Sequence, residues 1–337
     1  MAQATASSRS QRWGGSRWAL VLAAGEGSRL AHLTTDADGN AVPKQFCRLG
    51  SGASLLAETV RRASRVVPGE RITAVVASHH RQWWQRELAA FPAANIVEQP
   101  SNRGTAAGIL LPLLAIAERD PEAGVLILPS DHYVADEAAL AGALRSAFFA
   151  LYLKPGSVFL LGVEPERAET ELGWILPGKP SPASTREVLR FVEKPAPELA
   201  EELRAAGGLL NSFILVATAR TLLELYAERQ PQLLRQLARA RDDERRGKAA
   251  AIAGAYQRLR PADFSRDLLQ GSENRLLVAP APACGWSDLG TPERLARSLA
   301  PLLAERGASP LAWPAAIARW LEAALAPEAH AEPALAL

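Results

Sequence analysis

Short apolar runs alternate with longer stretches of mixed character along the first half of the chain. The runs at 18–24, 71–77, 94–98 and 124–129 have the length and aliphatic content of buried strands. Between them, the segments 54–66, 80–90 and 105–119 read as helices. This alternation predicts a parallel sheet flanked by helices. The second half is more mixed. Strands are expected at 157–163, 174–177, 186–192, 209–217 and 275–279, with a polar helix at 197–206 and a helical stretch over 218–257. Thr291-Pro292-Glu293 reads as an N-cap, a first-turn proline and an acid matched to the helix dipole. One further helix is expected at 313–326. The segments divide into an N-terminal extension (1–16), one domain (17–300) and a C-terminal helical tail (301–337).

Ligands of parallel sheets sit beyond the C-terminal ends of the strands, and the polar candidates fall there. The first strand runs into Ala24-Gly25-Glu26-Gly27-Ser28, then Arg29, with Pro43-Lys44-Gln45 further on. A glycine turn at a sheet edge presents bare backbone N–H groups to an anion. Two cations nearby suit a polyphosphate. The third glycine of a dinucleotide fingerprint is absent, because Leu30 stands in its place, and no Gly-Lys-Ser/Thr ends a Walker loop.

Asp131 follows the strand run Val125–Pro129 directly. An acid there can hold Mg²⁺, which favours carboxylates and substrate phosphates, or it can cap the next helix. Asp288, in Gly285-Trp286-Ser287-Asp288-Leu289-Gly290, is the natural second ligand or a simple turn acid. Glu193-Lys194-Pro195 ends another strand. Proline biases Lys194 towards extended backbone, and the pair reads as a lysine for a phosphomonoester and a glutamate for hydroxyls, or as a solvated edge. The loop Gln99–Ala106 can lay backbone donors and acceptors against a flat base, or cap the helix that follows.

Composition narrows the classes further. The net charge is +2 and 48% of residues are hydrophobic, so neither a polyanion-binding surface nor a disordered chain is indicated. Two distant cysteines, Cys47 and Cys284, make neither a disulfide framework nor a zinc cluster. The five histidines show no metal-ligand spacing, and His79-His80 would diverge on any regular element. No apolar run reaches membrane-span length, and the N-terminus lacks the apolar core of a secretory signal. A cytoplasmic protein is expected.

Taken together, LAAGEGSRL (22–30), PKQF (43–46), QPSNRGTA (99–106), LPSDH (128–132), GWI (173–175), FVEKP (191–195), NSFI (211–214) and GWSDLGTP (285–292) resemble the sugar-phosphate nucleotidyltransferases. The mannose-1-phosphate guanylyltransferases are the most similar branch. The resemblance implies an α/β fold: a Rossmann-like three-layer α/β/α sandwich with a mixed, mainly parallel sheet. It implies that Ala24, Gly25, Gly27, Ser28 and Arg29 hold the triphosphate with Lys44 beside it, and that Gly104 and Thr105 lie against the base. Asp131 and Asp288 would bind Mg²⁺. Gly173, Glu193 and Asn211 would contact the hexose, and Lys194 its phosphate. The catalytic set would be Arg29, Lys44, Asp131, Lys194 and Asp288.

The implied substrates are GTP and mannose 1-phosphate, with no nucleic-acid or membrane partner, and a homodimer is admitted. The chain departs from the family in a longer 31–42 loop and in a loose counterpart, 262–269, that leaves Asp263 and Asp267 without a role. Transfer of another nucleotide to another hexose 1-phosphate, or a non-catalytic sugar-nucleotide sensor, stays open on these residues.

Overall fold

The apolar runs expected as strands all fall in strands of one sheet. The computed structural model describes residues 13–27, 34, 41–48 and 52–298; Ser28, Arg29 and the 313–326 segment lie outside the described residues. The strands are β1 (Arg17–Ala23), β2 (Ile72–Ala77), β3 (Ile96–Gln99), β4 (Gly124–Pro129), β5 (Val158–Val163), β6 (Trp174–Ser181), β7 (Thr185–Val192), β8 (Leu209–Thr218) and β9 (Leu276–Pro280). Their order is β3-β2-β1-β4-β8-β5-β9-β7-β6. The first four are parallel. β8 runs antiparallel to β4 and β5, β9 returns parallel to β5, and the β6–β7 hairpin closes the far edge. The sheet is therefore mixed around a parallel core.

The helices are α1 (Leu55–Ser64), α2 (Arg81–Glu87), α3 (Gly104–Arg119), α4 (Glu137–Leu153), α5 (Pro197–Ala205), α6 (Ala219–Arg229), α7 (Pro231–Arg245) and α8 (Ala251–Arg258). Side chains alternate across a strand, and β1 uses both faces. Trp18 and Leu20 join the core formed with α3, α6, α7 and α8, while Ala19, Val21 and Ala23 face the core formed with α1 and α4. This makes three layers. A smaller cluster packs Trp174 and Leu210 under Ala200 and Leu203 of α5. Among the described residues no helix is long and apolar enough to cross a membrane.

Two features differ from the sequence expectations. α4 is an addition to them; it starts at Asp136, whose carboxylate accepts from Ala138 N and Ala139 N at 3.0 and 2.9 Å. The 218–257 stretch is three helices, because Pro231 opens α7 and Gly247, at φ +83°, stands after it. Trp13, in the segment before β1, packs into the fold. The Trp13 indole is buried, donates to the Glu122 carbonyl at 2.7 Å and stacks on Phe148.

Candidate active site

The C-terminal ends of β1 and β4 meet loops from the second half of the chain around a cleft of about 320 Å³. Gly25, Lys44, Thr105, Asp131, Gly173, Glu193, Lys194, Asn211 and Asp288 all line it. Ala24, partly buried, packs against the core on the α3 face. Gly27 packs against Lys44, and Gly104 against the Ala262 carbonyl.

The glycine turn after β1 is held by the Pro43-Lys44-Gln45 segment. The Gln45 amide donates to the carbonyls of Ala23 and Gly25, at 3.1 and 2.9 Å. Lys44 is buried in a short 3₁₀ turn. Its ammonium donates to Asp131 Oδ2 at 3.1 Å and to the Asp288 backbone carbonyl. Burial opposes ionisation of Asp131, but the Lys44 charge, with a smaller push from His132 and the Lys44 hydrogen bond, outweighs it and holds the carboxyl below its ordinary value. Asp131 is not a helix cap, since Asp136 fills that role.

Two loops carry the acids to one wall. Tyr133 and Ser287 exchange backbone hydrogen bonds at 2.8 and 3.0 Å, and Ala135 N and Asp136 N both donate to the Cys284 carbonyl. The loops can approach this closely because of Gly285. Its φ is +62°, and a Cβ there would lie 2.7 Å from that of Ala135. The Asp288 carboxylate is buried. Arg294 Nε lies 3.0 Å from Oδ1 without the alignment of a hydrogen bond, so Oδ1 has no hydrogen-bond partner. Arg294 also pairs with Glu169 at 3.2 Å. The helix beyond is capped as expected, by Thr291 Oγ1 accepting from Arg294 N at 3.3 Å.

At the other end of the cleft, Glu193 and Lys194 follow β7. Lys194 does not take the extended backbone that Pro195 favours. Its φ is +50°, a left-handed turn off the strand end that costs a non-glycine residue about 1–3 kcal/mol. Such strain persists where the surroundings impose it. Glu193 Oε2 sits over Gly173, where a Cβ would be only 2.6 Å away. Burial, then the charge of Asp263, pushes the Glu193 carboxyl up to about 7 against the pull of Lys194 and Arg266. Asn211 reaches the cleft through a bulge in β8. There the register against β5 shifts, Phe213 takes φ +58°, and Asn211 Oδ1 accepts from Phe213 N at 3.1 Å. The Ser212 hydroxyl replaces lost ladder bonds, donating to Leu161 O at 2.6 Å and accepting from Ile214 N at 3.1 Å.

The 262–269 segment does have a place in this site. Thr105 Oγ1 donates to Asp263 Oδ2 at 3.1 Å and accepts from Phe264 N at 2.7 Å, while Asp267 Oδ2 accepts from Asp263 N at 2.7 Å. A π-helical turn, Ser265–Leu269, then brings Ser265 within 3.4 Å of Asn211 Nδ2. Sequence reasoning missed Gln45, Asp263, Ser265 and Arg294 as individual participants. It also separated His79 from His80. They lie on a 3₁₀ turn rather than a regular element, so their rings stay 4.1 Å apart, beside Glu26.

Among the described lining residues, five carboxyl groups (Asp131, Glu171, Glu193, Asp263, Asp288) face two lysines, and one lysine is already paired. Among these residues the balance favours polyanions that arrive with added positive charge. The buried Asp288 carboxylate, whose Oδ1 has the Arg294 charge beside it but no aligned hydrogen bond, and the Asp131 carboxylate are the hard oxygen donors that Mg²⁺ prefers.

A sequence model of the nucleotidyl transferase family matches residues 18–304. The mannose-1-phosphate guanylyltransferase of Escherichia coli (strain K12) is 32% identical over 224 residues, which cover 64% of this chain and 45% of that protein. The alginate biosynthesis protein AlgA of Pseudomonas syringae pv. tomato is 30% identical over 281 residues, covering 80% of this chain and 56% of that one. A solved Thermus thermophilus structure, described as a mannose-1-phosphate geranyltransferase, matches with a TM-score of 0.72 at 29% identity, covering 84% of this chain and 78% of that one. The chain spans about half the length of the curated relatives it matches.

Proposed function

We propose that this chain, which belongs to the nucleotidyl transferase family, transfers the guanylyl group of GTP to mannose 1-phosphate, giving GDP-mannose and pyrophosphate. The observation that carries this reading is a division of the cleft lining into two sets. Lys44 joins Asp131 and the Asp288 loop beside the Gly25 turn that Gln45 holds, and Glu193 and Asn211 close around Gly173, with Lys194 next in the chain. The first set suits a nucleoside triphosphate and the second a sugar phosphate. The choice of guanine and mannose rests on the relatives named for that reaction.

An oxygen of the sugar phosphate attacks the α-phosphorus. A new P–O bond forms, the bond from the α-phosphorus to the oxygen bridging the β-phosphorus breaks, and pyrophosphate leaves with the electron pair. No general base is required, because a phosphomonoester with a second pKa near ~6 is largely dianionic at neutral pH. The obstacle is bringing two polyanions together, so catalysis is positioning and charge stabilisation. The backbone of the glycine turn, held by Gln45, receives the phosphates. Lys44 keeps Asp131 ionised and fixes it relative to the Asp288 loop. Lys194 receives the sugar phosphate, and Glu193 and Asn211 orient the hexose. Asp131 and Asp288 would hold Mg²⁺, which when bound supplies the positive charge that the acid-rich cleft lacks. Arg29 would join the phosphate cations.

The test is pyrophosphate release with Mg²⁺ across a panel of nucleoside triphosphates and sugar 1-phosphates. GTP with mannose 1-phosphate should have the highest kcat/KM. A site that pairs the N1–H, N2–H and O6 of guanine discriminates strongly against other bases, whereas mannose and glucose differ at one hydroxyl and should separate less. UTP or dTTP ranking above GTP would overturn the guanylyl assignment. No turnover with any pair, in a folded protein that binds sugar nucleotides, would favour a sensor.

A further inference from the structure

β1 and β2 run parallel and finish side by side, Ala23 opposite Val76. The chain leaves β1 through Gly25-Glu26-Gly27 and leaves β2 through the 3₁₀ turn Ser78–His80. These two exits gather Glu26, His79 and His80. His79 Nε2 is 3.1 Å from Glu26 Oε2, His80 Nε2 is 3.7 Å from the same oxygen, and one ligand atom from each residue lies within 4.8 Å of the others.

We propose that Glu26, His79 and His80 form a binding site for a divalent transition metal of the zinc class. Two imidazoles and a carboxylate are a donor set that zinc takes with three protein ligands, leaving a fourth position open. Bonds of about 2.0–2.1 Å in a tetrahedron put ligand atoms roughly 3.4 Å apart, and the separations of 3.1 and 3.7 Å bracket that value. Mg²⁺ favours oxygen-only sites, so nitrogen donors separate this cluster from the Asp131–Asp288 wall.

The cluster has one fixed ligand and two open ones. His80 is buried, with its ring held edge-on to Phe46 at 5.9 Å and to Trp83 at 5.6 Å, and its Nδ1 has no hydrogen-bond partner. His79 and Glu26 are exposed, with side chains 49% and 43% accessible. A metal ion can therefore enter from solvent and meet a preset imidazole. Bound there, it would tie the glycine turn to the end of β2. Gly25 lines the cleft, so the ion would steady the turn without touching reacting atoms. The assignment rests on the cluster's own geometry and holds whichever nucleotide the cleft accepts.

The experiment is a Zn²⁺ titration of the EDTA-stripped full chain against a chromophoric chelator, with Mg²⁺ in excess to fill oxygen-only sites. Co²⁺ serves as a second probe, because its visible absorption reports nitrogen and oxygen ligation. The wild-type chain should bind one equivalent of Zn²⁺ that Mg²⁺ does not displace. His79→Ala and Glu26→Gln, both at exposed positions that leave the core intact, should each weaken binding by about tenfold or more and reduce the Co²⁺ bands. Asp131→Asn should leave Zn²⁺ affinity unchanged. A folded wild-type chain that binds no Zn²⁺, or Zn²⁺ affinity in both His79→Ala and Glu26→Gln equal to wild type, would overturn the assignment.

Discussion

The Lys44 ammonium lies 3.1 Å from the Asp131 carboxylate and at the same time donates to the Asp288 backbone. One buried cation thus joins the turn after β1, the end of β4 and the loop after β9. Its charge sustains the ionised form of Asp131.

Replacing Lys44 by Met should therefore do two things. It removes the cation proposed to stand beside the phosphates and leaves Asp131 half-buried without its partner. We expect kcat/KM to fall by about 10²-fold or more, with a lower melting temperature from the unpaired acid. Lys44→Arg should not restore activity, because a planar guanidinium fork does not reproduce the compact ammonium that meets both Asp131 and the Asp288 carbonyl. Activity within about twofold of wild type in Lys44→Met would remove Lys44 from the mechanism.

Asp131→Asn and Asp288→Asn keep side-chain shape and remove charge. Each should abolish most turnover while circular dichroism stays unchanged. In Asp288→Asn the neighbouring Arg294 loses a charge partner but retains Glu169 at 3.2 Å, so the loop should hold. Near-normal rates in both variants, with Mg²⁺ still required, would show that these acids are not the metal ligands.

Much of the candidate cleft was legible in the sequence because its polar residues sit where apolar runs stop. Gly25, Asp131 and Glu193 each stand within two residues of the end of a strand, and each lines the cleft. Pairings between distant segments were not legible. Thr105 and Asp263 are far apart in sequence and meet only because 102–106 is stitched to 262–264 by backbone bonds, Ala106 N to Ala262 O at 3.0 Å among them. Arg294 reaches Asp288 across a turn and a helix start, which no spacing rule announces. α4 was hidden for another reason. Apolar residues occupy nearly all of its sequence, EAALAGALRSAFFALYL, so no helical period stands out. The expected divergence of His79 and His80 assumed a regular element, and a 3₁₀ turn stands there instead.

Gly173 is where backbone leaves room for a functional carboxylate. In Gly173→Ala the added methyl would meet Glu193 Oε2 at 2.6 Å, so the carboxylate must swing away. The KM for the sugar phosphate should rise by about tenfold, with the nucleotide KM and the melting temperature little changed. A rise confined to the nucleotide KM would move Glu193 to the other end of the cleft.

Glu193 also gives the enzyme a pH signature of calculable sign. Its carboxyl is pushed from 4.5 up to about 7, by burial first and by Asp263 second. Between these values the folded chain holds a proton that the unfolded chain has released, so this residue makes stability fall as pH rises through the window. Glu193→Gln removes the titration. Its melting temperature relative to wild type should therefore climb from about pH 5 to about pH 7 and level off above. Binding should move in the opposite sense. In the proposed role the carboxylate would accept hydrogen bonds from sugar hydroxyls at both oxygens, whereas the protonated acid gives up part of that capacity. Wild-type KM for the sugar phosphate should fall as pH rises through about 7, beyond the change that the substrate's own ionisation near ~6 produces. Glu193→Gln should show only the substrate's inflection. Superimposable KM profiles for the two proteins across this range would mean that Glu193 does not titrate against the sugar, and its contact with the hexose would have to be abandoned.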